Sequence, residues 1–104
     1  MRRTPLLIAS LMGISGLALA EPSSSRQGEL THLLKQDCGS CHGMTLKGGL
    51  GPALLPEIIK EKPTDYLVTT ILEGHPNTAM PGWKTMLSEE DALWIANQLK
   101  QGIN

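Results

Sequence analysis

Five consecutive residues, Cys38-Gly39-Ser40-Cys41-His42, limit what the rest of this chain can do. Two cysteines three positions apart lie on one side of a helical turn. From there they can add to the two vinyl groups of a haem, and the next residue carries its imidazole under the iron. Other chemistries also use paired thiols. A thioredoxin-type redox site needs a βαβ framework, yet no stretch alternates apolar and polar residues as a strand would. A structural zinc site needs four ligands, and the chain has only 2 Cys. A disulfide could use the pair, but the spacing with an adjacent histidine fits haem better. The expectation is one covalent haem c, held through Cys38 and Cys41, with His42 as the first axial ligand.

The beginning of the chain agrees with that chemistry. Arg2 and Arg3 precede an apolar run from Leu6 to Leu17, which ends in Ala18-Leu19-Ala20, a small-x-small cleavage pattern. Residues 1–20 read as a signal peptide, with Glu21 as the new N-terminus. The run is too short for a transmembrane helix of about 20 apolar residues, though an uncleaved anchor is the alternative. The two arginines lack the longer pattern of folded-protein export, so the general secretory route to the periplasm is expected. Thioether attachment in bacteria takes place in that compartment. The whole chain has 104 residues, 9 Lys+Arg against 10 Asp+Glu, no Phe and 3% aromatics. This balance excludes a nucleic-acid binder that relies on bulk positive charge. So small a mature chain, with few rings, needs a staple that a haem would supply.

The remaining elements read as all-α with long loops. Residues 21–27, Glu-Pro-Ser-Ser-Ser-Arg-Gln, look like a flexible lead-in. The domain proper is expected over 28–104. Leu30, Leu33 and Leu34 recur at helical spacing from Gly28 to Asp37, running into Cys38. Gly48-Gly49-Leu50-Gly51-Pro52 must be a loop. Pro56 to Lys62 can form two helical turns. Thr64, as N-cap, opens a helix with Leu67, Ile71 and Leu72 on one side, which Gly74 and Pro76 stop. An irregular loop follows from His75 to Lys84. Ser88 and Asp91 form a capping box for a last helix with Ala92, Ile95, Ala96 and Leu99 inside, ended by Gly102.

The second axial ligand comes from Met44, Met80, Met86, His32 or His75. Met44 is too close to His42 to reach the opposite face of the ring. His32 lies on the helix before the motif and reads as a surface residue. Met86, near the start of the last helix, reads as core packing. Met80 lies in an irregular loop before Pro81-Gly82-Trp83, far enough along to close over the other face, and His75 in the same loop is its rival. A His42/Met80 pair would fill both axial positions and favour the ferrous state, which suits an electron carrier rather than a catalyst.

With these motifs in place, the chain resembles the class I cytochromes c over nearly all of its mature length. That resemblance implies a fold of three to four short helices wrapped around one haem. Gly51-Pro52-Ala53-Leu54 is similar to the family's Gly-Pro-x-Leu segment. It implies that the Pro52 carbonyl accepts a hydrogen bond from His42. Leu34 matches a large apolar residue that packs on the C-terminal helix, and Leu30 matches a position that is often Gly. Three further segments, Asp65-Tyr66-Leu67, Ile71-Leu72-Glu73-Gly74 and Thr78-Ala79-Met80-Pro81-Gly82-Trp83, resemble the small periplasmic cytochrome c-55X proteins of denitrifying bacteria. This narrower resemblance implies a carrier that donates electrons to the nitrite reductase containing haem c and haem d; with both axial positions filled it is expected not to be an enzyme, and a monomer is expected. Lys47 and Lys84 would lie on the rim of its docking face. The alternative role is an electron-supplying factor in haem d maturation.

Overall fold

The computed structural model describes residues 21–103. The signal-peptide reading of residues 1–20 lies outside the described residues. Among those described there is no strand, and no helix is long and apolar enough to cross a membrane.

The N-terminal stretch is one continuous helical rod in three parts. Helix α1 runs over Ser24–Leu33, a π-helical segment over Leu34–Cys38, and α2 over Gly39–His42. The rod starts four residues earlier than the apolar spacing predicts. Ser23 is its N-cap, accepting a hydrogen bond from the Arg26 amide at 3.1 Å. Such a side-chain cap satisfies one of the first-turn donors and makes a helix start without any apolar residue nearby. Arg26 and Gln27 therefore belong to the first turn of α1 and not to a flexible lead-in. The π segment, which the apolar spacing does not reveal, adds its extra residue just before the cysteine pair. Single-turn π segments of this kind occur frequently at functional sites.

Helix α3, Pro56–Ile59, is shorter than the expected two turns. Lys62 precedes Pro63, whose ring disfavours helical backbone at that position, so the chain leaves the helix before it. Pro63, with extended backbone, is the N-cap of α4, Thr64–Glu73. Thr64 is thus inside the helix and not its cap. Its hydroxyl accepts a hydrogen bond from Lys100 Nζ at 2.9 Å, tying α4 to the end of α5. Helix α5, Glu89–Gln101, carries the expected capping box: Asp91 N donates to Ser88 Oγ at 3.0 Å, and Ser88 N donates to Asp91 Oδ2 at 3.1 Å.

The core lies where the rod, α3 and α4 meet α5. Leu30, Leu34, Ile59 and Ile95 are its largest fully buried side chains, joined by Leu46, Leu67, Leu87, Ala96 and Leu99. No aromatic ring is fully buried; Trp83 and Trp94 only flank the cluster. Leu30, at the position where the family is often glycine, is completely buried in the same core as Ala96. Small side chains on α5 thus accommodate a large one on α1. Burying each leucine of this core is worth about 1.5–3 kcal/mol.

Candidate haem site

Cys38 ends the π segment, and Cys41 and His42 lie in the short helix after it. Both thiols are free, Cys41 exposed and Cys38 half-buried. Burial, helped by Asp37 and Cys41, pushes the Cys38 thiol up to about 11, so it is protonated at neutral pH. Among the described residues no three His, Cys, Asp or Glu side chains gather as a metal cage.

His42 is buried at 9% exposure. Its Nδ1 lies 2.7 Å from the Pro52 carbonyl oxygen. A carbonyl can only accept, so Nδ1 carries the proton and Nε2 keeps the lone pair a metal needs. Among the described residues Nε2 has no protein partner. The loop between ring and carbonyl is short and closed by its own backbone: Gly48 N donates to His42 O at 2.8 Å, and Gly51 N to Cys41 O at 2.7 Å. Gly51 lies directly on the imidazole. A Cβ there would stand 2.8 Å from Cε1 and 2.9 Å from Nδ1, closer than real contacts permit. The Gly-Pro pair therefore does two jobs, with Gly51 admitting the ring and Pro52 orienting it. The family resemblance implies only the second. A glycine directly before the acceptor proline was the available signal.

Met80 is half-buried in the loop between α4 and α5. The loop is folded back on itself and onto the end of α4. His75 N donates to Met80 O at 3.3 Å, and Thr78 Oγ1 accepts from Met80 N at 3.3 Å. After Met80, Trp83 N donates to Ile71 O at 2.9 Å, and Lys84 N to Leu72 O at 3.2 Å. Gly82 sits so close to α4 that a Cβ would stand 2.5 Å from Leu72 O and 2.7 Å from the Glu73 carbonyl carbon. Pro81-Gly82 is thus the point where the methionine loop docks.

The other candidate side chains are exposed, although the His75 backbone is bonded to Met80 in the same loop. His32 and His75 are exposed. Met44 and Met86 are 61% and 60% exposed. Met86 is therefore not core: the turn from Trp83 to Leu87 buries Leu87 and leaves Met86 outside, with its carbonyl engaged by Arg26. Lys47 is exposed, and Lys84, also exposed, pairs with Glu73 at 3.2 Å.

A paired-thiol turn followed by a buried, tautomer-fixed histidine on an all-helical frame defines a c-type cytochrome. Residues 26–97 match the family described as cytochrome c oxidase, cbb3-type, subunit III. The chain is 54% identical over 89 residues to the cytochrome c55X of Pseudomonas aeruginosa, covering 86% of this chain and 75% of that one. Among solved structures it is similar to the c-type cytochrome NirC, with TM-score 0.76 and 54% identity over 77% of this chain and 94% of that one. It is also similar to part of dihydro-heme d1 dehydrogenase NirN in complex with DHE, with TM-score 0.64 and 34% identity over 70% of this chain and 16% of that one. The chain belongs to the cytochrome c55X family. It carries one covalently attached haem c, and the free Cys38 and Cys41 are the thiols available for attachment.

Proposed function

We propose that this protein is a periplasmic one-electron carrier whose haem iron is held between His42 and Met80, and that it donates to the nitrite reductase containing haem c and haem d. The observation that carries the reading is the 2.7 Å contact between His42 Nδ1 and the Pro52 carbonyl. It presents a neutral imidazole with its lone pair on Nε2, as a permanent iron ligand requires. When bound, the haem supplies a one-electron couple. The chain's own residues do the rest. Pro52 raises the basicity of His42 and holds its ring in one orientation. The half-buried Met80, on a loop docked at Gly82, would supply the second ligand and so limit access of small molecules to the iron. With both positions filled the protein carries electrons and is not an enzyme. The export segment expected from the sequence supports a periplasmic location, where the protein would act as a monomer. Lys47 and Lys84 contribute to the rim that meets an acidic partner, setting association rate more than affinity.

The likeness to NirC and the cytochromes c55X supports this choice of acceptor. The likeness to part of a dihydro-heme d1 dehydrogenase supports a second reading, in which the electrons serve maturation of haem d. The two are separated by stopped-flow mixing of reduced holoprotein with the nitrite reductase and nitrite. Fast, saturable oxidation of the haem supports the donor role. Oxidation no faster than without the reductase rejects it and leaves the maturation role or another partner. In both readings Met80→Ala keeps covalent haem but lowers the reduction potential. The drop is on the order of 0.1 V, within the roughly 0.8 V over which axial ligands move haem potentials. An unchanged potential would assign the ligand elsewhere.

A further inference from the structure

Arg26 reaches across the molecule from the first turn of α1. Its Nη2 donates to Asp91 Oδ2 at 2.8 Å and to the Met86 carbonyl at 3.0 Å, and its Nε donates to the same carboxylate oxygen at 3.3 Å. Asp91 is buried, at 7% exposure, and the same oxygen also accepts from Ser88 N. One guanidinium therefore joins three things: the rod that ends in His42, the cap of α5, and the segment that descends from Met80.

Leu87 anchors that segment in the core, but among the described residues its only hydrogen bond to the rod is the one from Arg26. Between Met80 and α5 it is fixed to α4 through Ile71 O and Leu72 O, and it then makes a turn in which Met86 N and Leu87 N donate to Trp83 O at 2.9 and 2.8 Å. Arg26 closes the lower end of this turn from outside. Without it, the segment would keep the apolar contacts of Leu87 in the core, but its hydrogen bonds to other elements would lie on the α4 side alone, while His42 is carried by the rod on the other. We propose that Arg26 is a positioning residue for the distal face of the haem: by clamping the Met86 carbonyl and the α5 cap to the rod, it keeps Met80 over the iron. This inference rests on the proposed ligation by Met80.

Lysine can replace the charge of Arg26 but lacks the planar fork that serves the carboxylate and the carbonyl together. Holoprotein carrying Arg26→Lys is compared with wild type at a temperature where far-UV circular dichroism shows both fully folded. The readouts are the affinity of the ferric haem for added imidazole and the long-wavelength absorption band of methionine-ligated ferric haem. A second variant, Arg26→Met with Asp91→Asn, removes the clamp without leaving a buried charge unpaired. The expected result is an imidazole affinity raised about tenfold or more in both variants, with a weakened methionine band. Unchanged affinity and band in folded variants would overturn the role of Arg26 and leave Met80 ligation standing. If wild type lacks the band, and Met80→Ala leaves imidazole affinity unchanged, the ligation reading falls and this inference falls with it.

Discussion

The loop beside His42 and the loop that carries Met80 are both built on glycine and proline, but different kinds of contact hold them. The first closes on itself. Its hydrogen bonds, Gly48 N to His42 O, Gly51 N to Cys41 O and His42 Nδ1 to Pro52 O, all link residues within a dozen positions. The second also has local bonds, among His75, Thr78 and Met80, but it is held in addition by Ile71 and Leu72 at the end of α4 and by Arg26 in α1, 60 positions from its partner Met86. Local closure lets the proximal side form whenever its short segment is helical. The distal side is assembled only when the tertiary structure is complete. Loosening the fold should therefore release the methionine before the histidine, and the two sides should answer differently to substitution.

The largest effect removes the site altogether. Replacing Cys38 and Cys41 together by Ala abolishes covalent haem, read as loss of haem stain on a denaturing gel. The small core, without a fully buried ring, then loses the stability that a bound cofactor adds. A matched pair of glycine variants sharpens the contrast. Gly51→Ala and Gly82→Ala each place a Cβ within 3 Å of an immovable neighbour, the His42 ring in one case and the Leu72 carbonyl in the other. Each is expected to cost about 1–3 kcal/mol by thermal or denaturant unfolding. Their haem signatures should differ: Gly82→Ala raises the affinity of ferric haem for imidazole, whereas Gly51→Ala shifts the reduction potential with the methionine still bound. Identical signatures would erase the distinction between the two sides.

Acid provides a subtler probe of the clamp. The hydrogen bond from Arg26, reinforced by Ser88, holds the Asp91 carboxyl below the usual carboxylate range despite its partial burial. A lowered folded value means that stabilisation is fully present above the unfolded value of about 3.9 and is lost as pH falls through the folded one. Asp91→Asn should therefore flatten the decline of stability in that acid window, measured by denaturant midpoints at successive pH values. The smallest effect is at the surface. Lys84 and Glu73 pair at 3.2 Å with both side chains more than half exposed, so Lys84→Ala should change stability by no more than about 0.5 kcal/mol. A slower oxidation by the reductase at low salt, with stability unchanged, would mark Lys84 as a rim contact.

The same division between local and distant explains what could be read from the residues alone. The cysteine pair with His42 and the Ser88–Asp91 capping box are signals within a few positions, and the family resemblance pointed to Gly51-Pro52; the structure shows the capping box and the contact between His42 and the Pro52 carbonyl. The apolar stripes of α4 and α5 were equally legible because helical periodicity is local. What was missed needed the third dimension. Arg26 looked like part of a polar lead-in because its partners, Met86 and Asp91, are 60 and 65 residues away. Thr64 looked like a cap because nothing local reveals that Lys100 uses its hydroxyl. Met86 looked like core because a methionine near a helix start usually is, but the turn from Trp83 chose Leu87 instead. The π segment left no trace in the apolar spacing, since its extra residue falls among the polar residues Lys35, Gln36 and Asp37.

The central claim is that one haem is held between His42, fixed from its own neighbourhood, and Met80, fixed from afar. Proton NMR of the reduced holoprotein tests it most directly, because a methionine methyl on the iron lies over the ring and its signal moves far upfield. The account predicts a three-proton upfield signal that disappears in Met80→Ala and persists in Met86→Ala and His75→Ala. No such signal in the wild type, or one that survives Met80→Ala, would contradict it.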